Sequence, residues 1–416
     1  MNILHVTAYH LAVSRGGTEI YIDGLADALS RHNVENRFLV LSEQARIADM
    51  PDVCILVPHS GIPELKDRTR RYLVENRPDF IFFHTSDTWE YLVGELAREL
   101  RIPFFYFFHA ASWLCYQRNR KFLDQKPCSI MFDAWRCAVC RAGHGRRSRG
   151  IFAASLLELF RLLRLRKNSA YHAYREELAH KEHLVRSAER CIVFTEKDRM
   201  VFLANGFDTR KIYVCPQELK RTRLEACLRQ AQRERTGIPK FGYVGRCCRI
   251  KGVDILVAAA LQLPRDLEFE LRIYGCDWSD LYCRDLRAAA GCAPRIRFYK
   301  MLPADEVPER LGSLDVLCIP SVVFETGPLT LREGVYSGCL VAGSDQVGQM
   351  DFLTRYGRKI APNHANAWAE FMRDCILDIG NIRNSRKTEF PEAKSMDSVA
   401  ENVLSEIRQI NEPCRC

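Results

Sequence analysis

The sequence predicts an α/β protein built from two doubly wound, Rossmann-like domains. Short apolar runs alternate with longer amphipathic runs along the chain, which is the pattern of strands separated by helices. The alternation occurs in two series of about 200 residues each. Strands separated by helices form parallel sheets with helices on both faces. Because ligands of such sheets lie beyond the carboxyl ends of the strands, the two domains are expected to face one another across a cleft.

The first series contains six predicted strands: Ile3–Thr7, Asn36–Leu41, Val53–Val57, Phe80–Phe83, Phe104–Phe108 and Cys191–Phe194. Its predicted helices are Thr18–Ser30, Pro63–Asn76 and Ala173–Arg190. The second series begins at Lys240, and its predicted strands are Phe241–Val244, Phe269–Tyr274, Ile296–Tyr299, Val316–Ile319 and Leu340–Ala342. Its predicted helices are Asp254–Gln262, Cys283–Ala290, Ala304–Leu311 and Leu329–Tyr336.

The boundary between the domains is predicted in the polar stretch Glu218–Ile238, which is charged and shows no strand pattern. The first domain then covers residues 1–217 and contains an insert rich in cysteine and arginine near 111–170. The second domain covers residues 218–385. A helical tail, 386–416, is expected to pack back on the first domain.

The composition is that of a soluble globular enzyme, with 47% hydrophobic and 27% charged residues among 416. No apolar run reaches the roughly 18 residues that a membrane span needs. The first residues carry His5 and His10 and lack a basic leader, so they predict a buried strand rather than a signal peptide. We therefore expect a cytoplasmic protein. The 18 cysteines agree, because most stand singly in apolar runs, where a thiol behaves as a small hydrophobe.

Three loops after predicted strands have ligand-binding character. The first, Ser14–Glu19, holds Gly16 and Gly17 at the start of a helix. Paired glycines allow backbone N–H groups to approach a ligand closely, and a helix amino terminus favours anions. The alternative is a tight strand-to-helix turn. The spacing is not that of a dinucleotide fingerprint, and no P-loop lysine follows.

The second loop follows the strand Phe241–Val244 and carries Arg246 and Lys251, five residues apart. Arginine binds phosphate oxygens with its planar fork, and lysine acts as a point charge. The pair therefore predicts a phosphate clamp at the end of this strand. The alternative is two surface bases.

The third loop is the stretch FETGPLTLREG, which has Glu325 before a helix and Glu333 inside it. Proline is tolerated in the first helical turn, so Pro328 marks the helix start. The backbone N–H groups that the start leaves unbonded belong to Gly327, Leu329 and Thr330. A diphosphate flanked by two polyols fits this arrangement, with one carboxylate for a sugar and the other for a ribose. An ordinary surface glutamate is the alternative for each acid.

These motifs, taken with GGTE, LRIYGCD and LDVLCIPS, resemble retaining glycosyltransferase family 4, the group 1 enzymes related to glycogen synthase and mannosyltransferases. The order and spacing match across nearly the whole chain. The resemblance implies the GT-B fold. It also implies hexosyl transfer, with retention, from a UDP- or GDP-linked sugar to a glycan or lipid-linked acceptor in cell-envelope or extracellular polysaccharide synthesis, lipopolysaccharide included.

The resemblance also implies residue roles. Gly16 and Gly17 would border the donor phosphates or the acceptor site, and Arg246 and Lys251 would hold the diphosphate. Glu325 would contact the transferred sugar, Glu333 the ribose, and His109 matches a histidine that contacts the donor sugar. Without the resemblance, His109 would be interpreted as a core or surface histidine. Catalysis would need no metal ion, since bases and helix amides neutralise the leaving diphosphate. The loops Asp345–Gly348 and Pro216–Glu218 depart from the family pattern, which leaves the sugar and the base open.

Four cysteines lie in the insert: Cys115, Cys128, Cys137 and Cys140. The Cys-Ala-Val-Cys spacing suits half of a tetrahedral zinc site. Cys115 and Cys128 are too far apart to form a second such pair, but some members of family 4 carry a similar cysteine-bearing insert at this point, so the resemblance favours a structural zinc ion. The alternatives are free thiols or a site in which His144 replaces one cysteine.

Basic residues dominate 141–167, which contains eight lysines and arginines and one acid, Glu158. Within it, Ile151–Leu165 has the pattern of an amphipathic basic helix. Such a helix can lie on an anionic membrane surface at the inner face of the cell membrane, or it can cover the acceptor side of the first domain.

Two other functions remain open at the level of sequence. One is a nucleotide-sugar epimerase of the same fold, and the other is a non-catalytic carbohydrate-binding relative. Nucleic-acid binding is not expected, because no aromatic residues are interleaved with the arginine run.

Overall fold

The computed structural model describes residues 1–8, 16–41, 53–55, 62–86, 89–111, 113–115, 120–122, 126–128, 131–143, 169–291, 293–349, 356–388 and 391–411. The chain divides into two compact units. The first comprises Met1–Pro216 and Val399–Cys416, and the second comprises Gln217–Ser398. Each unit contains a parallel sheet whose strands alternate with helices, which confirms the predicted fold class.

Seven described strands of the first unit form one sheet, in which every pair is parallel. In chain order they are β1 (Asn2–Thr7), β2 (Glu35–Val40), β3 (Val53–Ile55), β4 (Phe80–Phe83), β5 (Phe104–Phe107), β8 (Arg190–Val193) and β9 (Ile212–Val214). The order across the sheet is β3-β2-β1-β4-β5-β8-β9. A short antiparallel hairpin, β6 (Lys121–Phe122) and β7 (Lys126–Pro127), lies in the predicted insert.

The described helices of this unit are α1 (Gly17–Ser30), α2 (Ile62–Asn76), α3 (Glu90–Glu99), α4 (Ala134–Gly143), α5 (Ser169–Ser187) and α6 (Glu196–Ala204). The helix α14 (Met396–Asn411) enters the unit from residue 399 onward. Its Glu406 accepts a hydrogen bond from Arg190, Nε to Oε2 2.6 Å.

Aromatic side chains fill the centre of the first sheet. Strands β4 and β5 read FIFF and FFYF, and every residue in both is buried. The rings of Phe82 and Phe105, on neighbouring strands, stack with centroids 5.6 Å apart. Continuous apolar runs of this kind are typical of parallel strands covered on both faces.

The second unit contains a six-stranded parallel sheet among its described residues, in the order β12-β11-β10-β13-β14-β15. Its strands are β10 (Lys240–Val244), β11 (Glu270–Cys276), β12 (Ile296–Lys300), β13 (Val316–Ile319), β14 (Leu340–Ser344) and β15 (Gly357–Ile360). Its described helices are α7 (Arg221–Ala231), α8 (Val253–Gln262), α9 (Leu281–Ala290), α10 (Val307–Gly312), α11 (Leu329–Tyr336), α12 (Ala365–Leu377) and α13 (Ile379–Thr388).

The stretch Glu218–Ile238, where the boundary was predicted, contains helix α7, whose Leu224 and Cys227 are buried. Its apolar residues Leu224, Cys227, Leu228 and Ala231 have the i, i+3, i+4, i+7 spacing of an amphipathic helix, a pattern that the list of predicted helices left out. The unit boundary lies between Pro216 and Gln217, and the second unit extends to Ser398, beyond the expected 385.

The basic segment Ile151–Leu165 and His144 lie outside the described residues. Within the part of the chain that the structure describes, no helix is both long enough and apolar enough to cross a membrane.

Candidate functional site

Two predicted site residues of the second unit form an ion pair. Lys251 Nζ lies 2.6 Å from Glu325 Oε1, with 26% and 10% of the two side chains exposed. The hydroxyl of Ser321, which follows β13, donates to the same carboxylate oxygen. Lys251 follows β10, the neighbour of β13 in the sheet. The fold therefore brings the predicted phosphate-binding lysine and the predicted sugar-binding glutamate together at the carboxyl ends of two adjacent strands.

Close packing around Gly252 explains why a glycine follows Lys251. Its φ is +68°, and a Cβ atom there would lie 2.1 Å from the carbonyl oxygen of Pro320. The backbone of Val322 also donates to the carbonyl of Ile250, 3.0 Å. The loop after β10 is thus held directly against the end of β13, and this contact sets the position of Lys251.

The loop that carries Glu325 is fixed by its backbone. Glu325 donates from its N–H to the carbonyl of Gln346 (3.1 Å), and its own carbonyl accepts from the N–H of Gly348 (2.8 Å). Gly327 has φ +142°, and a Cβ atom there would meet the side-chain nitrogen of Gln349 at 2.5 Å. Glycine is therefore required at this position, and the loop after β14 covers it.

The helix α11 begins where the sequence predicts, directly after Pro328. Its first-turn residues Leu329 and Thr330 are partly exposed. The N–H groups at the start of a helix have no intrahelical partner, so this end can bind an anion. Arg246, the other predicted phosphate ligand, has an exposed side chain, and its carbonyl oxygen accepts from the Tyr243 hydroxyl, 2.8 Å.

Glu333 is buried rather than on the surface, with 9% of its side chain exposed. Its Oε1 accepts a hydrogen bond from Arg223 Nε at 2.6 Å. Arg223 lies on α7, and its NH1 group also donates to the carbonyl of Ala304. The fold therefore couples the predicted ribose ligand to a cation that sequence reasoning missed.

A second buried network lies beside it. Arg332 NH1 lies 3.1 Å from Glu218 Oε1, with 3% and 5% of the side chains exposed. Arg332 Nε donates to Gln349 Oε1 at 3.1 Å, and the Tyr336 hydroxyl lies 3.3 Å from Glu218 Oε2. Burial raises the pKa of Glu218 to about 7, against the opposing effect of Arg332. Arg332, on α11, is thus linked both to Glu218, just before α7, and to Gln349, in the loop after β14.

The glycine pair of the first unit opens α1, as predicted, and Gly16 is its N-cap residue. The carboxylate of Glu19 accepts from the backbone N–H of Gly16, and a Cβ atom on Gly16 would lie 2.5 Å from Glu19 Oε2. Among the described residues, no atom lies within 4 Å of a Cβ position on Gly17. Burial raises the pKa of Glu19. A carboxylate thus caps this helix, as in a capping box.

His109 lies two residues beyond β5 and belongs to a row of three histidines. His109 Nε2 lies 3.1 Å from His84 Nδ1, and His84 Nε2 lies 3.0 Å from His5 Nδ1. Burial lowers the pKa of His109 to about 3 and that of His5 to about 4. Of the three, only His109 was predicted as a site residue. The signal for the other two is a histidine within or just after each of three strands that are neighbours in the sheet.

The four cysteines of the insert lie near one another. Burial, followed by the charges of the other three thiols, raises the pKa of Cys137 to about 12. The pKa of Cys128 is raised to about 11 by burial and then by Cys115 and Cys140. Cys137 and Cys140 lie on α4, whose first turn is capped by Asp133, and the N–H of Cys128 donates to the Arg120 carbonyl (2.8 Å).

One group of three potential metal ligands stands out in the described part of the chain: Cys247, Cys276 and Cys283, whose sulfur atoms all lie within 4.8 Å of one another. They are buried in the core of the second unit. The cysteines of the insert are not gathered this closely. The insert nevertheless offers four thiols, of which Cys137 and Cys140 have the spacing of half a zinc site, whereas the core group offers three.

Residues 227–388, in the second unit, match the family model described as glycosyl transferases group 1. The matched range includes Arg246, Lys251, Glu325 and Glu333, whereas Arg223 lies just before it.

Two curated relatives are also similar to the chain. A 2-deoxystreptamine glucosyltransferase from Streptomyces kanamyceticus is 32% identical over 178 residues, which are 40% of this chain and 45% of that protein. A D-inositol 3-phosphate glycosyltransferase from Nocardia farcinica (strain IFM 10152) is 26% identical over 267 residues, or 60% of this chain and 56% of that protein. The matches span about half the length of each relative.

The similarity to solved structures extends beyond the matched residues 227–388. The crystal structure of HepE from Anabaena in complex with UDP superposes with a TM-score of 0.65 at 15% identity, covering 98% of this chain and 100% of that chain. At this identity the similarity establishes only the fold, and it covers both units of the chain.

Proposed function

We propose that the protein is a retaining, hexosyltransferase-type glycosyltransferase of family 4, which moves a sugar from a UDP- or GDP-linked donor to a glycan or lipid-linked acceptor. The observation that carries this proposal is the Lys251–Glu325 pair, which lies at strand ends within the residues that match the group 1 glycosyl transferase model. Two relatives named as a glucosyltransferase and a glycosyltransferase support it. The UDP bound in the crystal structure of HepE supports a nucleotide-linked donor.

In this proposal the diphosphate binds to Arg246, to Lys251 and to the N–H groups of Gly327, Leu329 and Thr330. Fixed positive charge at these atoms stabilises the charge that develops on the leaving diphosphate. Lys251 is shared, because its ammonium group contacts Glu325 at 2.6 Å. When phosphate oxygens take part of that charge, Glu325 becomes a stronger acceptor for the hydroxyl groups of the transferred sugar.

Glu333 is proposed to accept hydrogen bonds from the ribose hydroxyls. Arg223 holds one of its oxygens, Oε1, in a fixed position. A pre-organised carboxylate loses less conformational freedom on binding than a mobile one does. His109 is proposed to contact the transferred sugar, and Gly17, beside Gly16, to allow close approach of a ligand to the start of α1.

The insert is proposed to bind a structural zinc ion through Cys115, Cys128, Cys137 and Cys140. Zinc would tie the segment before the hairpin, the hairpin itself and α4 together, and thiolates are its preferred ligands in structural sites. We also propose that the acceptor belongs to cell-envelope or extracellular polysaccharide synthesis, lipopolysaccharide included. The basic stretch 141–167 supports an anionic membrane surface at the inner face of the cell membrane.

The proposal is tested by incubating the full-length protein with a panel of UDP- and GDP-linked sugars, with and without lipid-linked oligosaccharide acceptors. The expected result is release of nucleoside diphosphate together with glycosylation of one acceptor, and both reactions should be about 100-fold less efficient in Lys251→Ala. Conversion of the donor into its epimer, without transfer, would identify an epimerase instead. Absence of binding by every nucleoside diphosphate would identify a non-catalytic relative.

A further inference from the structure

Three histidines and an asparagine form a row across four neighbouring strands of the first unit. Asn36 lies on β2, His5 on β1, His84 directly after β4 and His109 just after β5, and these strands are consecutive in the sheet. His5 is 0% exposed and His84 is 1% exposed. Polar side chains buried to this degree are stable only when they are hydrogen-bonded.

The row is continuous by distance. Asn36 Oδ1 lies 2.9 Å from His5 Nε2, His5 Nδ1 lies 3.0 Å from His84 Nε2, and His84 Nδ1 lies 3.1 Å from His109 Nε2. All three separations are hydrogen-bond distances. Each inner histidine therefore uses both of its ring nitrogens within the row.

The amide of Asn36 sets the direction of the row. Its Nδ2 group donates to the carbonyls of Ala26 (3.0 Å) and Val34 (3.1 Å) and to the hydroxyl of Ser30 (3.0 Å). With three acceptors around the nitrogen, the amide oxygen must face His5. A carbonyl oxygen only accepts, so His5 Nε2 must carry a hydrogen.

The histidine rings of the row are neutral. The direction of the hydrogen bond at Asn36 therefore fixes the direction of every other hydrogen bond in the row. Burial lowers the pKa of His5 to about 4, and burial followed by the two neighbouring histidines lowers the pKa of His84 well below its ordinary value. A neutral imidazole has one donor and one acceptor. Because His5 donates to Asn36, its Nδ1 accepts from His84 Nε2. His84 Nδ1 in turn accepts from His109 Nε2, so each ring carries its hydrogen on Nε2.

We propose that Asn36, His5 and His84 are positioning residues that hold His109 as the Nε2–H tautomer, so that its Nδ1 accepts a hydrogen bond from a hydroxyl group of the transferred sugar. The sugar contact rests on the proposed function, whereas the tautomer is a property of the protein alone. In the opposite tautomer, with hydrogen on Nδ1, His109 would offer a sugar hydroxyl only a donor. Its Nε2 and His84 Nδ1 would then face one another as two acceptors, with no hydrogen between them.

Aromatic packing holds the His109 ring in the plane that the row requires. The Tyr21 ring contacts it edge-on with centroids 4.9 Å apart, and the Phe194 ring lies 5.0 Å away. His84 packs on Phe107 with centroids 4.9 Å apart and planes inclined by 27°. These contacts fix where the His109 ring lies, and the hydrogen-bonded row fixes which of its nitrogens carries the hydrogen.

The tautomer is tested first in the wild-type protein. Full-length protein labelled with nitrogen-15 at its 11 histidines is examined by long-range proton–nitrogen NMR at neutral pH, and His109→Gln assigns the signal of interest. The expected result is a neutral His109 with hydrogen on Nε2. A His109 signal with hydrogen on Nδ1, or on both nitrogens, overturns the proposal without any need for a variant to fold.

Two substitutions of His84 then test the positioning role. In His84→Gln the amide nitrogen can donate to His5 and the amide oxygen can accept from His109, so the row is kept. In His84→Phe the packing on Phe107 is kept and the row is broken. We expect His84→Gln to retain the wild-type His109 signal and near wild-type kcat/KM. We expect His84→Phe to show both tautomers and about tenfold lower kcat/KM for the donor, which is the loss expected for one hydrogen bond.

Equal kinetic effects of the two substitutions, or no effect of His84→Phe, would overturn the positioning role. If the wild-type protein transfers no sugar but shows the expected tautomer, the proposed function fails while the assignment of the row stands. If transfer is observed and the tautomer is the opposite one, the proposed function stands and this inference fails.

Discussion

Lys251 Nζ lies 2.6 Å from Glu325 Oε1, so the cation and the acid that the sequence assigns to phosphate and to sugar are partners in the structure. The Ser321 hydroxyl donates to the same oxygen. Because the two groups share a hydrogen bond, neither can be altered without changing the other. Their contributions to activity should therefore not be additive.

Replacing Lys251 by alanine should lower kcat/KM for the donor by about 100-fold, because a fixed cation at the leaving diphosphate is lost. Glu325→Ala should mainly lower kcat and leave the affinity for nucleoside diphosphate near that of the wild type. The double variant should be less impaired than the product of the two single effects. Steady-state kinetics and calorimetric titration with the diphosphate measure both quantities.

Lys240→Ala provides the matched control for this prediction. Lys240 begins β10, at the opposite end of the strand from Lys251, and its Nζ lies 3.5 Å from the carbonyl of Thr236. Its removal should leave the kinetics unchanged. Fully additive effects of Lys251→Ala and Glu325→Ala would argue against a shared role for the pair.

Glu333 and Arg223 should act together on nucleotide binding. Glu333→Ala is expected to weaken binding of the nucleoside diphosphate with little change in kcat for saturating donor. Arg223→Ala leaves a buried carboxylate without its cation, so it should lower the free energy of unfolding by about 3 kcal/mol and also weaken nucleotide binding. Denaturant unfolding and calorimetric titration provide the two measurements.

Arg229→Ala is the control, since Arg229 is exposed on the same helix, α7. It should change neither quantity. If Arg223→Ala lowered stability and left nucleotide affinity intact, Arg223 would be a structural residue, and the ribose contact of Glu333 would lose its support.

Strands such as β4 and β13 were predictable because a strand buried on both faces is a continuous run of apolar residues in the sequence. Phe80–Phe83 and Val316–Ile319 have the bounds that the sequence predicts, and all their residues are buried and apolar. Strand β15, Gly357–Ile360, was missed because only its first and last residues are buried. An edge strand with two exposed basic residues at its centre has no apolar run to detect.

The site was predictable only where its residues share a motif. Glu325, Gly327 and Glu333 lie within eleven residues, so their relation to a helix start follows from local rules. Arg223 precedes its partner Glu333 by 110 residues, and His5 precedes His84 by 79. Such pairs depend on strand order and helix packing, and neither can be deduced from the spacing of residues along the chain.

Two glycines with similar backbone angles should respond differently to alanine. Gly237 has φ +74° with nothing within 4 Å of a Cβ position, and Gly252 has φ +68° with the Pro320 carbonyl 2.1 Å from that position. Gly237→Ala should cost about 1 kcal/mol of stability, the strain of a left-handed alanine. Gly252→Ala should cost more, because the loop must move away from β13, and it should weaken binding of nucleoside diphosphate by displacing Lys251. Equal losses of stability and unchanged affinity would show that the contact does not position Lys251.

Metal analysis tests the proposed zinc site of the insert. The purified protein should contain about one zinc ion per chain, and Cys137→Ser should lose it together with thermal stability, since structural zinc contributes directly to folding. Cys248→Ser, at a partly exposed position outside both cysteine groups, should retain the metal. Retention of zinc by Cys137→Ser but not by Cys276→Ser would move the metal to the core group of Cys247, Cys276 and Cys283.

The row of histidines should make the protein sensitive to acid. In the unfolded chain a histidine has an ordinary pKa near 6.5, whereas in the folded protein the pKa of His5 is about 4 and that of His109 about 3. Between these limits the unfolded state binds protons that the folded state does not. The free energy of unfolding should therefore fall as the pH falls from about 6.5 towards 4, by up to about 1.4 kcal/mol per pH unit for each buried histidine.

Denaturant unfolding at pH 7.5, 6.5 and 5.5 measures this dependence. His84→Gln removes one titrating ring and keeps the hydrogen-bonded row. The slope of its unfolding free energy against pH should therefore be smaller by the contribution of one histidine. His32→Gln changes an exposed histidine at the end of α1 and should keep the wild-type slope. The same slope in the wild type and both variants would mean that the buried rings take up protons in the folded state. Because the directed row from Asn36 to His109 requires neutral rings, that outcome would contradict it.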